Sequence, residues 1–238
     1  MKAFRDVRTG IRTLAVIVAL SLTAGGAAPA QADDKMDAEQ LVTKAKLVVE
    51  SFTADEKMAQ LRANAKEAKA VMVVPEALRA AFIFGAQGGS GVLVARDAKS
   101  GKWLGPAFHS LGGASFGFQA GADSAEVIAL AMTERGLTQL LTSSVKLGGD
   151  VSVAAGSHSA GMGGATAGLS ADILIYSRAK GLYGGFSVDG AVVGVKESLN
   201  KAYYGKETSP TDILVRGTSK NPKAAPLLGA VEKLAAAK

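Results

Sequence analysis

The sequence predicts an α+β fold: N-terminal amphipathic helices packed on a strongly coiled, mainly antiparallel β-sheet or small barrel, with C-terminal helices. Three observations predict it. Residues 37–69 carry apolar side chains at helical spacing. From Phe82 onward, apolar residues alternate with small or polar ones between glycine-rich turns. No β-α-β alternation interrupts that pattern, which argues against a doubly wound sheet. Glycine pairs recur at 88–89, 112–113, 148–149, 163–164 and 184–185. Most are expected near strand ends, where glycine permits the bulges and corners of a coiled sheet.

The elements follow in chain order. Met1 to Arg12 is basic, Leu14 to Ala24 is apolar, and Ala30-Gln31-Ala32 has the small-residue pattern of a cleavage site. These are the three regions of an export signal over residues 1–32. An N-terminal anchor helix is the alternative, but the apolar run falls short of the ~20 residues a bilayer needs. Cleavage would leave residues 33–238 as one domain, periplasmic or secreted. The signal takes four basic residues and one acid with it, which lowers the formal net charge from +6 to +3. So modest an excess argues against a nucleic-acid partner recruited by bulk charge. The chain has no cysteine, so an exported domain must be held by packing alone.

Leu41, Ala45, Val48 and Phe52 predict a first helix, and Met58, Leu61, Ala65 and Ala68 a second. Thr53 and Glu56 stand in capping-box relation and place the second helix start at Thr53. In that helix Arg62, Lys66 and Lys69 share a face bordering the apolar stripe. Basic side chains there can rest their stems on apolar surface and lift their charges to a phosphate layer. The solvated edge of a core-facing helix fits the same spacing. Val71 to Val74 predicts a short strand stopped by Pro75, and "EALRAA" a helical turn. Strands are then expected in "SGVLVARD", "KWLGPAF", "ASFGFQAGAD" and "SAEVIALAM", with Phe116 and Phe118 on one face. Residues 133–144 predict a helix, 145–156 strand, and 157–168 a flexible loop. "ADILIYSRAKGLYGGFSVDGAVVGV" predicts two antiparallel strands turning near Ala179-Lys180-Gly181. Helices follow in "KESLNKAYYG", ending at Gly205, in "SPTDILV", capped by Ser209 or Thr211, and in the tail after Pro222.

The candidate chemistry is sparse. Gly113-Ala114-Ser115-Phe116-Gly117 matches the nucleophile-elbow pattern, with Asp150 and His158 downstream. The elbow needs a strand-to-helix turn, and strand is predicted on both sides of Ser115. Ser143 and Lys146 have the spacing of penicillin-binding enzymes without their partner motifs. The loops "GAQGGSG" and "GMGGATAG" fit no phosphate-loop pattern. His109 and His158 are the only histidines, and no metal-ligand spacing appears. No cofactor is therefore expected. Asp123, Glu126 and Glu134 could be posed as paired carboxylates with nothing to prefer them over surface acids. Trp103 lies near Arg96, Lys99 and Lys102. It fits either an interfacial anchor, with the cations meeting phosphates, or a packing residue.

The glycine-rich middle of the chain also resembles a known family. Val74-Pro75, Phe82-Ile83-Phe84-Gly85, Gly89-x-Gly91-Val92-Leu93, Trp103-x-x-Pro106-Ala107-Phe108 and Gly112-Gly113-x-Ser115-x-Gly117-x-Gln119-x-Gly121 are similar to the SYLF signature. Lys146 to Gly149, "YSRAKGLYGGFSVDGA" and "YYG" extend the match over about 37–217. The resemblance implies a non-enzymatic domain that binds acidic phospholipids, phosphoinositides among them in eukaryotic members, some of which also bind actin. It attributes lipid contact largely to an N-terminal amphipathic helix. The assignment of Arg62, Lys66, Lys69, Arg96, Lys99, Lys102 and Trp103 rests on spacing and composition instead. With an export signal and no recognisable SH3 or FYVE module, the expected partner is an envelope anion such as phosphatidylglycerol or cardiolipin. A protein partner in the envelope is the alternative reading, and a hydrolase using Ser115 a further one.

Overall fold

The structure, a computed structural model, describes residues 29–81, 84–116, 121–156, 171–180, 188 and 190–237. Helix α1, Pro29–Ala54, is the longest described. It buries Ala38, Val42, Ala45, Val48, Val49 and Phe52, a stripe spaced by three and four. The expected cleavage point after Ala32 falls in its first turns. Thr53 does not start the second helix. Its hydroxyl donates back to the Val49 carbonyl at 2.7 Å inside α1. Asp55 caps instead, its carboxylate accepting the Lys57 N–H at 3.0 Å. A short 3₁₀ turn, Glu56–Met58, leads into α2, Ala59–Ala65.

Among the described residues, eight strands follow in one sheet: β1 Ala70–Ala81, β2 Phe84–Arg96, β3 Trp103–Phe116, β4 Gly121–Ala131, β5 Ser144–Lys146, β6 Val153–Ala155, β7 Ile173–Lys180 and β8 Val192–Val195. Their order is β5-β8-β3-β2-β1-β4-β7-β6. Every pairing is antiparallel except β6 with β7. Strands β5 and β6 form opposite edges, yet only residues 147–152 join them. Seven residue steps reach at most ~25 Å, whereas eight flat strands hold their edges ~33 Å apart. The sheet must curl, and it forms a half-barrel. A parallel bridge between Leu147 and Val151 lies in that connection.

The curl creates two cores. Inside it, Met72, Val74, Leu93, Leu111, Val127 and Ile173 pack with Leu147 and Val151 from the edge connection. Leu140 of α3, Glu134–Leu140, and Leu214 of α5, Pro210–Leu214, join that cluster. On the outer face, Val73, Phe108, Ile128 and Tyr176 pack under α1, α2, α4 (Glu197–Tyr204) and α6 (Ala225–Ala236). Helix α4 stops at Gly205, whose φ of 70° is left-handed. Ser209 caps α5 in a capping box with Asp212.

Three expectations are overturned. Strand β1 runs through Pro75 and through the segment expected as a helical turn. It tolerates proline because its register jumps there: Val73 faces Val92 and Glu76 faces Ser90. This is a bulge, where a missing N–H costs no ladder bond. The glycine pairs 88–89 and 112–113 lie inside β2 and β3, not at their ends, and Gly88 faces Gly112. Strands β7 and β8 do not form a hairpin. Strand β7 pairs with β4 and β6, and β8 with β3 and β5. Alternation marks a strand but not its partner. The expectations for Phe116, Phe118 and the loop at 157–168 lie outside the described residues or side chains.

Candidate functional site

Two stretches of candidate cations come from different parts of the chain. Lys66 and Lys69 follow α2, while Arg96, Lys99 and Lys102 flank the β2–β3 turn. The sheet joins them at one end. The Arg96 N–H donates to the Lys69 carbonyl at 2.8 Å, and the Lys69 N–H donates to Ala131 at 2.8 Å. The Arg96 guanidinium donates through Nη1 to the Lys66 carbonyl at 2.8 Å. Arg96 therefore splints the end of α2 to the end of β2.

The turn itself is rigidly built. The Asp97 carboxylate accepts the Ser100 N–H at 2.6 Å, the Ser100 hydroxyl at 2.9 Å and the Lys99 N–H at 3.0 Å. Hydrogen bonds from the Ser100 N–H and hydroxyl, with a smaller Coulombic contribution from Lys99, hold the Asp97 carboxyl below its ordinary value. Gly101 supplies the left-handed φ of 70° that closes the turn. Lys66, Lys69, Lys99 and Lys102 are exposed. Lys69 shares its charge with Glu134 at 3.4 Å. No ion pair is described for Lys66, Lys99 or Lys102.

Two candidates depart from expectation. Arg62 is half-buried and faces the α1–α2 corner, donating to Asp55 O at 2.7 Å and Thr53 O at 3.2 Å. The predicted three-residue stripe breaks because α2 ends at Ala65. Trp103 does not project to a headgroup level. It is only 7% exposed, in the outer core, with Arg96 lying 5.5 Å over its ring. Among the described residues, the large exposed apolar side chains lie on other elements: Met36 and Leu47 on α1, Leu78 on β1, Val192 on β8 and Val215 after α5. No described helix is long and apolar enough to cross a membrane.

The catalytic candidates find different surroundings. Ser115 sits within β3, opposite Gly85, so it is not on a strand-to-helix turn. His158 lies outside the described residues. Asp150 accepts the Lys146 N–H at 2.7 Å within a turn, and Ser143 is exposed. His109 is buried between the carbonyls of Ala107 and Leu140, at 3.3 and 3.1 Å. Burial pushes its imidazole below its ordinary value. Among the described residues no group of histidine and carboxylate side chains could hold a metal ion.

One constellation escaped the sequence reading. Arg178 of β7 donates to Glu126 at 2.6 Å and to the Ser51 hydroxyl at 2.7 Å. It also reaches Asp55 at 3.5 Å and lies 4.6 Å over the Phe52 ring. It clasps α1 to the sheet. Its partners are up to 127 residues away, so no local spacing could have signalled it.

Four helices thus cover the outer face of the half-barrel, and the candidate cations other than Arg62 lie toward its β2–β3 turn. A family model described as "Ysc84: Las17-binding protein actin regulator" matches residues 112–234. The chain belongs to this family, the one its SYLF-like motifs indicate. It is 33% identical over 175 residues to Protein YSC84 of Saccharomyces cerevisiae, covering 71% of this chain and 37% of that protein. LAS seventeen-binding protein 3 of the same yeast is 31% identical over 174 residues, 71% of this chain and 38% of that protein. Human SH3 domain-containing YSC84-like protein 1 is 27% identical over 155 residues, 64% of this chain and 45% of that protein. The chain thus spans less than half the length of these curated relatives.

Proposed function

We propose that the protein is a non-enzymatic module that binds anionic phospholipid surfaces, with Lys66, Lys99 and Lys102 making the phosphate contacts. The supporting observation is the Arg96 splint, which puts the end of α2 beside the β2–β3 turn. Lys69 and Arg96 add charge but are tied to Glu134 and to backbone carbonyls. Each exposed lysine near an acidic membrane contributes about 1 kcal/mol and is weakened by salt. An export signal over residues 1–32 would bring the domain to the periplasm or outside, where phosphatidylglycerol and cardiolipin are the relevant anions. Vesicle flotation tests the binding. On a phosphatidylcholine background, recovery should require acidic lipid and fall with salt; equal recovery on phosphatidylcholine alone would reject it. Sequencing the amino terminus of the exported protein should find Asp33.

A second reading is a protein-interaction module. The relatives' names, which refer to Las17 binding and actin regulation, favour it. Pull-down of actin or an envelope protein that survives replacement of the three lysines by glutamine would select this reading. Labelling by a serine-reactive fluorophosphonate, lost in Ser115→Ala, would favour the hydrolase reading instead.

A further inference from the structure

The proline inside β1 is the least expected residue of the sheet. Strand β1 is central, between β2 and β4, where proline is ordinarily excluded. The bulge it occupies is accommodated by the neighbouring strand. A Cβ on Gly89 would lie 2.6 Å from the Glu76 carbonyl oxygen, and one on Gly91 2.8 Å from that of Val73. Three positions thus cooperate to keep one irregularity. On the other side, Val74 faces Val127 and Ala77 faces Ala125, so Pro75 and Glu76 together oppose Glu126. Bulges of this kind re-aim side chains and cluster beside binding sites.

The bulge forms one wall of a cleft, and α1 forms the other. The cleft has a volume of about 410 Å³, within the range of small-molecule sites. Leu47 and Pro75 give it apolar surface, and Ser51 a hydroxyl. Its charges are partitioned. Glu126 is bonded to Arg178 at 2.6 Å, which offsets its charge. Lys44 and Glu76 also line the cleft, both exposed. Neither has an ion pair among the described residues, and they do not pair with each other. Ser51 accepts from Arg178, which leaves its own hydroxyl proton to donate.

We propose that this cleft binds a small zwitterion, a molecule carrying a primary ammonium and an anionic group a few bonds apart. Glu76 takes the ammonium, Lys44 the anion, and Leu47 with Pro75 the chain between them. A quaternary ammonium fits poorly, because such groups are held by aromatic faces and none of the described lining residues is aromatic. An ethanolamine phosphate has this chemistry, whether as a lipid headgroup or as a free metabolite. The inference is independent of the anionic-surface reading, since it uses none of those lysines.

Calorimetric titration of the full chain with glycerophosphoethanolamine and glycerophosphocholine tests it. The ethanolamine compound should bind saturably, and the choline compound about fivefold more weakly or worse. Lys44→Gln and Glu76→Gln should each weaken binding by about fivefold, with melting temperatures unchanged because both side chains are exposed. Gln replacement of Lys66, Lys99 and Lys102 should leave it intact. Flotation on phosphatidylethanolamine vesicles that Glu76→Gln abolishes assigns the ligand to a lipid. Binding of the soluble compound without flotation assigns it to a metabolite. Absence of saturable binding, equal binding of the two compounds, or indifference to both substitutions would overturn the proposal.

Discussion

Replacing Gly91 by alanine tests the bulge in β1 directly. The new methyl carbon would sit 2.8 Å from the Val73 carbonyl oxygen and 2.9 Å from Val74 Cγ2, with Met72 Cε at 3.4 Å. The closest of these atoms is backbone, held within the β1 ladders, so it cannot rotate away. Overpacking of this kind costs about 1–3 kcal/mol. The reduced freedom of the unfolded chain returns about 0.4–1 kcal/mol. The net expectation is a loss of about 1.3 kcal/mol. Gly88→Ala is the matched control, three residues away on the same strand. Its nearest neighbour would be the Leu111 carbonyl oxygen at 3.6 Å, an ordinary contact. That variant should be as stable as the parent or slightly more so. Urea unfolding followed by far-ultraviolet circular dichroism reads both. With an m-value of about 2 kcal/mol/M, Gly91→Ala should lower the midpoint by about 0.7 M. Equal midpoints for the two variants would refute the claim that glycine is required by close approach of the bulge.

Arg178→Met should destabilise the domain by about 2 kcal/mol, because it strips the guanidinium from a Glu126 side chain only 10% exposed. This is below the cost for a fully buried pair, since Arg178 is itself about one-third exposed. Adding Glu126→Met should recover most of the loss in the same unfolding assay. Burial lowers the His109 imidazole, so the unfolded chain takes up its proton first as pH falls below 6.5. Stability should then decline by up to about 1.4 kcal/mol per pH unit, and His109→Gln should remove that part of the slope in melting curves at pH 7.5 and 5. Asp172 has the complementary behaviour. Hydrogen bonds from the Thr133 hydroxyl and from Ser152 hold its carboxyl below 3.8. Its stabilising contribution is complete above that value and lost as pH falls through the lower folded one, so Asp172→Asn should flatten the acid limb in melting curves extended from about pH 4 down to about pH 2.

Local physics was the most legible. The stripe of Leu41, Ala45, Val48 and Phe52, the stop at Gly205 and the cap at Ser209 depend only on neighbours three to five residues away, and each stands in the structure. The Thr53 cap failed within that same range because a threonine hydroxyl can also donate backward, as it does to Val49. Pro75 reads as a strand stop unless the glycines of the next strand are known to lie opposite. Pairing was less legible still, since β7 and β8 are near in sequence but have four strands between them in the sheet. The site divides the same way. Lys66 and Lys69 were identified by helical spacing, although the helix ends before them. Their meeting with the β2–β3 turn depends on Arg96 bonds across about thirty residues. Trp103 was ambiguous because an anchor and a core residue share the same flanking lysines, and the outer core decided it.

The central claim is that three exposed lysines, Lys66, Lys99 and Lys102, engage acidic lipid. Partition onto vesicles with and without phosphatidylglycerol, measured for the parent and for the combined Lys66→Gln, Lys99→Gln and Lys102→Gln variant, tests it most directly. At about 1 kcal/mol for each lysine, the variant should bind acidic vesicles roughly 100-fold more weakly and unfold at the same urea concentration. A folded variant that partitions as well as the parent would contradict the account.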